Sequence, residues 1–437
     1  MKTFSPVLAA LLLLTFNAVS QTTAWNRLSA MGSRGYNLSN WLEAYWLGAS
    51  YPNVLEYSRQ ELDALAQMGF RSVRVPILLE RITSDVAPYD SVLNNAPFAI
   101  VDSVILASAR ENDIAVILVN HHGFELTNAN WRTALPRLCG MWIALTERFR
   151  GLPRDYVFFE LRNEPALDIH NDTLHILQQA IIDSIRAHDA ERTLIVGANW
   201  WNAGWSLADS RPYNDAADNI IYTFHNYDPY EFTHQGFSWT GLPTGPTFAY
   251  PGKAADDIRA MFLRVKDWSL LHQVPVFLGE FGVSWFADEA SRCAYIACLT
   301  DLCEVFDFPW IYWDVKHGHD AFGIFSGSSV RYSDLIPCFR NAMGLVDTVS
   351  TAGHTAAPRS VALDVFPDPV SDLASVSYTL AEPGTVLLTA SDLLGREVAV
   401  LASGRHEAGT FSAVWRCAGL PPGAYIIRLS ADASTNH

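Results

Sequence analysis

Ala115-Val116-Ile117-Leu118-Val119-Asn120 carries no charge and has three β-branched side chains in six positions. A strand that is apolar at every position, rather than at every second one, is buried on both faces, as in a parallel sheet covered by helices. Comparable runs lie upstream at 32–37 and 72–76, and downstream at 157–161, 193–197, 220–225, 276–280 and 310–313. Between them run helical patterns such as 58–68, 98–111, 174–189 and 255–271. Eight buried strands, each followed by a crossover, predict an α/β fold, the (β/α)₈ TIM barrel, over residues 25–345. The loop after the sixth strand, from His225 to about Gly252, is long and rich in Gly, Pro and aromatics, and long loops there are usually functional.

Outward from the barrel the composition changes. Residues 346–361 are rich in Ser, Thr and Ala and read as a linker. Beyond them, 362–437 holds short alternating runs at 375–378, 386–390, 398–401, 411–415 and 424–429, punctuated by Pro383-Gly384, Leu394-Gly395 and Pro421-Pro422-Gly423. That pattern predicts a small all-β, immunoglobulin-like sandwich. At the other end, Lys2, the apolar run 7–16 and Ala18-Val19-Ser20 have the order of a signal peptide over residues 1–20. The apolar run is too short to span a bilayer, and no later segment has the required length and purity. The chain is therefore expected to be secreted or held at the cell surface. The sequence has 437 residues, 49% hydrophobic and 17% charged, with a formal net charge of −16. That balance supports a large core, repels nucleic acid and anionic membranes, and suits a neutral substrate. Six cysteines can pair in an oxidising compartment, and spacing alone leaves their pairing open.

Barrel enzymes carry their chemistry at the C-terminal ends of the strands. The fourth strand runs out through Glu160-Leu161-Arg162-Asn163-Glu164-Pro165, and the seventh through Leu278-Gly279-Glu280-Phe281-Gly282. Two carboxylates, Glu164 and Glu280, thus meet at one mouth. A retaining glycosidase needs such a pair about 5–5.5 Å apart, one protonated and one ionised. Arg74, inside an apolar run, must find an anion, and either a catalytic or a structural carboxylate serves. His121-His122 and His225-Asn226-Tyr227 close strands three and six, and Tyr227 is placed to hydrogen-bond a carboxylate and hold its acidity low. Trp313 ends strand eight, and Trp200, Trp201 and Trp239 lie near strand ends as further flat faces for sugar rings. His121-His122 with Glu125 matches no zinc spacing, and neither a metal nor a cofactor is expected.

Taken together, Arg34-Gly35-Tyr36-Asn37 through Glu43, Val73-Arg74-Val75-Pro76, His121-His122, Phe159 to Pro165, His225-Asn226-Tyr227, Phe232-Thr233-His234-Gln235-Gly236 and Gly279-Glu280-Phe281-Gly282 resemble glycoside hydrolase family five, the cellulase and mannanase family. The resemblance implies Glu164 as general acid/base, Glu280 as nucleophile, and Asn163 as a ligand of the sugar 2-hydroxyl. It implies that Arg74, His121, His225 and Tyr227 frame the cleaved bond, that Trp313 is the platform under a sugar, and that Asn40, Glu43 and His122 contact substrate hydroxyls. Arg162, where the family often has an apolar residue, is expected to alter the electrostatics beside Glu164. The implied partner is a β-linked polysaccharide, a glucan or alternatively a mannan, cut within the chain. A surface protein that holds polysaccharide without cutting it is the alternative of another class. The C-terminal region resembles a type IX secretion sorting domain, through Phe366-Pro367-Asp368-Pro369, Asp392-Leu393-Leu394-Gly395-Arg396 and Gly423-Ala424-Tyr425, which implies outer-membrane secretion machinery as a partner; a plain immunoglobulin-like or carbohydrate-binding module is the rival.

Overall fold

The computed structural model describes residues 23–44, 55–121, 126–154, 156–165, 168–316, 322–326 and 329–347, and in the C-terminal part 363–366, 373–380, 383–393, 395–406, 409–417, 419–421 and 423–433. The expected signal peptide, His122, and all of the linker after Asp347 lie outside the described residues.

Eight strands, β1 (Arg34–Asn37), β2 (Ser72–Ile77), β3 (Ala115–Asn120), β4 (Val157–Glu160), β5 (Leu194–Val196), β6 (Ile220–Asn226), β7 (Val276–Phe281) and β8 (Trp310–Tyr312), form a closed barrel in chain order. The pairing of β1 with β8 is parallel, as is the run of partners from Ser72↔Ala115 to Ile77↔Asn120 between β2 and β3. All-apolar strands form because every face is covered. Val116, Phe159 and Leu278 point into the larger cluster shared with the surrounding helices. Ile117, Phe158, Ile195, Ile221, Phe277 and Ile311 point into the barrel interior. The interior is closed from below by the helix Thr23–Met31, whose Ala24, Leu28 and Met31 sit on one face at helical spacing. Above that apolar layer the inward positions turn polar, with Asn37, Arg74 and Glu160 all fully buried.

The helices begin where local chemistry allows. Ser58 caps the helix Arg59–Gln67 in a reciprocal box: its Oγ accepts from the Glu61 amide at 3.3 Å, and Glu61 accepts the Ser58 amide at 2.8 Å. The helix Trp131–Phe149 holds Pro136 inside its second turn, a residue that removes one backbone donor. A disulfide joins Cys293 on the helix Glu289–Phe306 to Cys338 on Pro337–Ala342, a bond that persists in oxidising compartments, whereas Cys139, Cys298, Cys303 and Cys417 are free thiols. No described helix is long and apolar enough to cross a membrane.

The chain divides into two units, residues 1–346 and 347–437. The second holds β9 (Leu363–Phe366), β10 (Leu373–Leu380), β11 (Gly384–Asp392), β12 (Glu397–His406), β13 (Gly409–Arg416) and β14 (Tyr425–Ala433), in two three-stranded sheets ordered β13-β10-β9 and β12-β11-β14. Ala374, Val376, Tyr378 and Leu380 of one sheet and Val386, Leu388 and Ala390 of the other are buried at every second position. That period of two is what a half-buried strand requires. β9 is an edge strand that the sequence pattern did not reveal.

Candidate active site

One irregularity of the barrel decides the site. Along β7, Phe277 faces the interior and Leu278 faces the helices, so simple alternation puts Glu280 outside with Leu278. The pairing with β6 instead jumps from Phe224↔Leu278 to His225↔Glu280, which leaves Gly279 as an extra residue. Such a bulge re-aims the next side chain, and Glu280 turns inward. Glycine is required at the bulge by close approach: a Cβ there would stand 2.3 Å from Thr223 Oγ1 and 3.2 Å from His225 Nε2.

Arg74 lies beneath Glu280 and is wholly buried. Its five N–H groups all donate: Nε and Nη2 to the two oxygens of Glu160 at 2.7 Å each, Nη1 to Asn37 Oδ1 at 2.9 Å and to Glu280 Oε1 at 2.5 Å, and Nη2 to Asn163 Oδ1 at 2.7 Å. Burial alone would lower the pKa of the guanidinium, but the charges of Glu160 and Glu280 reverse that and raise it. Arg74 is thus a fixed cation serving one structural and one mouth-facing carboxylate. Replacing Arg74 with Ala should cost about 3–5 kcal/mol in denaturant unfolding, because it strands Glu160 as an uncompensated buried charge. The Arg74→Ala, Glu160→Gln pair should recover part of that loss. An Arg74→Ala protein as stable as the parent would show that the pair contributes nothing to the barrel.

Glu280 also accepts from the Tyr227 hydroxyl at 3.0 Å, and His225 Nδ1 is 3.6 Å from its second oxygen. Burial, then the neighbouring negative charges of Glu280 and Glu164, raise the Tyr227 hydroxyl well above its ordinary value, so it stays a donor. Glu164 follows the end of β4 in a left-handed conformation with φ 41°, and accepts from or donates to His225 Nδ1 at 2.7 Å. Burial, which Arg74 opposes and the negative Glu160 reinforces, pushes the Glu164 carboxyl up to about 8. Burial raises Glu280 as well, and the charge of Glu164 adds to that, while Arg74 and the Tyr227 hydrogen bond oppose it. Of the two, Glu280 is the one to which a guanidinium and a phenol hydroxyl both donate, an arrangement that favours its ionised form. His225 is pushed down to about 4, first by burial, so its imidazole is neutral beside them. Ligand atoms of Glu164, His225 and Glu280 all lie within 4.8 Å of one another, which among the described residues is the one group spaced to hold a metal ion. Glu280 and His225 are already committed to the hydrogen bonds above.

These groups open into a cavity of about 880 Å³. Of the sequence-predicted residues, Glu164, Glu280, His121, Asn163, His225, Tyr227 and Trp313 line it, and Arg74 supports it from below. The His121 ring stacks on Trp313 at 5.4 Å and 8°, and its Nε2 is 3.4 Å from Asn163 Nδ2. Trp200, Trp201 and Trp239, 41%, 49% and 51% exposed, stand around the rim with Trp205 and Tyr230. Large exposed aromatics grouped at a cavity mark a binding face.

Asn40 and Glu43, for which the resemblance implies contact with substrate hydroxyls, lie after β1. Both are buried in one turn, where the Glu43 carboxylate accepts the backbone amides of Asn40 and Trp41 and the Asn40 side chain donates to Ser39 Oγ at 2.9 Å. Neither is among the cavity-lining residues. Arg162 turns from Glu164 to Glu80 at 3.2 Å, so its charge is matched there. Glu160, Asn202, Trp205, Tyr230, His234 and Phe322 join the site in the structure without being expected there from the sequence. An acidic residue two positions after Phe158 on an inward face was a usable signal for Glu160; for Asn202 there was none.

The sequence profile described as Cellulase (glycosyl hydrolase family 5) matches residues 26–319. Endoglucanase 3 of Fibrobacter succinogenes is 28% identical over 326 residues, covering 64% of this chain and 49% of that protein. Endoglucanase H of Acetivibrio thermocellus is 29% identical over 280 residues, 64% of this chain and 29% of that one. The chain thus spans about half, or less, of the length of these curated relatives. A solved structure of a hyperthermophilic endo-β-1,4-glucanase in complex with substrate superposes with a TM-score of 0.65 at 29% identity, covering 74% of this chain and 99% of that one.

Proposed function

The chain belongs to the cellulase family, glycosyl hydrolase family 5, and from that premise we propose that it hydrolyses β-1,4-glucan internally, with retention of configuration. The observation that carries the mechanism is the carboxyl spacing: one oxygen of Glu164 and one of Glu280 lie within 4.8 Å. Inverting enzymes hold their carboxyls about 6.5–9.5 Å apart to admit a water between them, and retaining enzymes about 5–5.5 Å. Glu280, held ionised by Arg74 and Tyr227, attacks the anomeric carbon. Glu164 gives its proton to the departing glycosidic oxygen as that bond breaks. Glu164, now a carboxylate, then takes a proton from water, whose oxygen displaces Glu280 from the anomeric carbon. No step needs a metal or an oxidant.

The substrate class follows from the walls. Indole and phenol faces at Trp200, Trp201, Trp205, Tyr230, Trp239 and Trp313 stack on sugar rings and present no charge to attract an anionic one. Stacking is indifferent to the C2 hydroxyl, the position at which glucose and mannose differ, and each unpaired polar group costs the wrong sugar only about 1–3 kcal/mol. Weaker action on glucomannan is therefore part of the proposal. Soluble carboxymethyl cellulose should lose viscosity faster than it gains reducing ends, and proton NMR of a cello-oligosaccharide digest should show the β-anomer first. An α-anomer first would overturn retention, cleavage confined to xylan or to mannan would overturn the glucan reading, and binding without any cleavage would leave a polysaccharide-holding protein.

A further inference from the structure

Three consecutive residues after β5, Trp200, Trp201 and Asn202, have φ 57°, 56° and 56°. L-residues such as tryptophan rarely adopt this left-handed conformation, and a run of three persists only where the surroundings over-determine it. Several contacts do so. The Trp201 amide donates to Pro165 O at 3.1 Å, next to Glu164, and Ala203 bridges His225 in parallel register. Asn202 is fully buried against Gly197, where a Cβ would stand 2.2 Å from Asn202 Oδ1. The result is that Asn202 Nδ2 lies 3.3 Å from His225 Nε2, on the far side of the ring from Glu164.

Because an amide N–H₂ only donates, it selects the His225 tautomer with a lone pair on Nε2 and the hydrogen on Nδ1. That N–H then donates to Glu164 Oε1, which leaves the other oxygen, Oε2, to carry the carboxyl proton. In the opposite tautomer Nδ1 would be an acceptor and would draw the Glu164 proton toward the ring. We propose that Asn202 is a positioning residue for the acid step: it sets the tautomer of His225, and through it which oxygen of Glu164 bears the proton for the leaving group. This rests on Glu164 being the acid/base. The other groups facing this pair are Arg74, Glu160 and Glu280 from the barrel, His121 at the mouth, and Tyr227, Asp228, Tyr230 and His234 from the loop after β6. Asn202 is the group hydrogen-bonded at Nε2.

The left-handed backbone admits glycine freely and aspartate well, so Asn202→Gly and Asn202→Asp are the informative variants. Asn202→Gly should lose about tenfold in kcat/KM on cellotetraose, a poor leaving group, and less than about twofold on 2,4-dinitrophenyl cellobioside, which needs no protonation. Asn202→Asp holds a hydrogen on Nε2, turns Nδ1 into an acceptor for the Glu164 proton and adds a negative charge nearby, and should move the alkaline limb of kcat/KM up by about one pH unit. Equal losses on both substrates with an unmoved limb, or no loss at all, overturn the inference. Glu164→Ala is measured on the same two substrates. If it shows no dependence on the leaving group, the acid/base assignment itself fails; if it shows one while Asn202→Gly does not, only the role of Asn202 fails. Should the variants not fold, ¹⁵N NMR of His225 in the unsubstituted protein decides: a hydrogen on Nδ1 supports the role, and one on Nε2 refutes it.

Discussion

Glu280→Gln should lower kcat by at least about a thousandfold, which corresponds to ~4 kcal/mol of lost transition-state stabilisation, while leaving the fold and polysaccharide binding in place. The amide keeps the shape of the side chain and has no anionic oxygen with which to attack. The barrel tolerates the change because Arg74 remains matched by Glu160 through two bonds of 2.7 Å. Affinity electrophoresis in a glucan gel should show unchanged retardation. An aryl 2-deoxy-2-fluoro-cellobioside, which slows breakdown of the covalent intermediate, should add one fluorinated disaccharide to the peptide containing Glu280. Labelling at Glu160 or Glu164, or near-normal turnover of the variant, would remove Glu280 from the nucleophile role.

The second large effect is that of Glu164→Ala, and its size depends on the leaving group. On unactivated oligosaccharides the loss should reach about 10²–10⁴-fold, the usual worth of general acid catalysis. On dinitrophenyl glycosides bond cleavage should be nearly untouched, and added azide should then raise turnover and give a β-glycosyl azide. An α-azide would mean single displacement. The same residue fixes the alkaline side of the pH profile. With its carboxyl pushed up to about 8, the active form has Glu164 protonated, so kcat/KM should fall as pH rises through about 8. On the acid side the active form needs Glu280 ionised, and because burial raises that carboxyl above its ordinary value, activity should decline at a higher pH than a solvent-exposed glutamate would give. An alkaline limb unchanged in a protein lacking Glu164 would assign it to another group.

Eight buried strands were legible because each writes its burial into seven or fewer consecutive residues. Ala115–Asn120 reads as a strand whatever lies elsewhere in the chain. The two carboxylates were legible for a related reason, since the end of a barrel strand is a position that can be counted from the run before it. Arg74 announced its need for an anion, but not that Glu160 would take two of its five bonds. The resemblance implies substrate contact for Asn40 and Glu43, and only the structure shows that the Glu43 carboxylate also accepts the Asn40 amide.

What local pattern cannot encode is the pairing between strands. Alternation along Phe277-Leu278-Gly279-Glu280 sends Glu280 to the outer face, and the shift in register against Phe224 and His225 of β6 brings it in. Likewise nothing around Trp200-Trp201-Asn202 signals a left-handed turn. That conformation is imposed by Pro165, Gly197 and His225, from three other places in the chain. Burial of an apolar run depends on its own composition, so strands and their order follow from sequence. Side-chain direction at a bulge and the tautomer of a buried imidazole depend on hydrogen bonds to distant backbone, and these exist only once the barrel has closed.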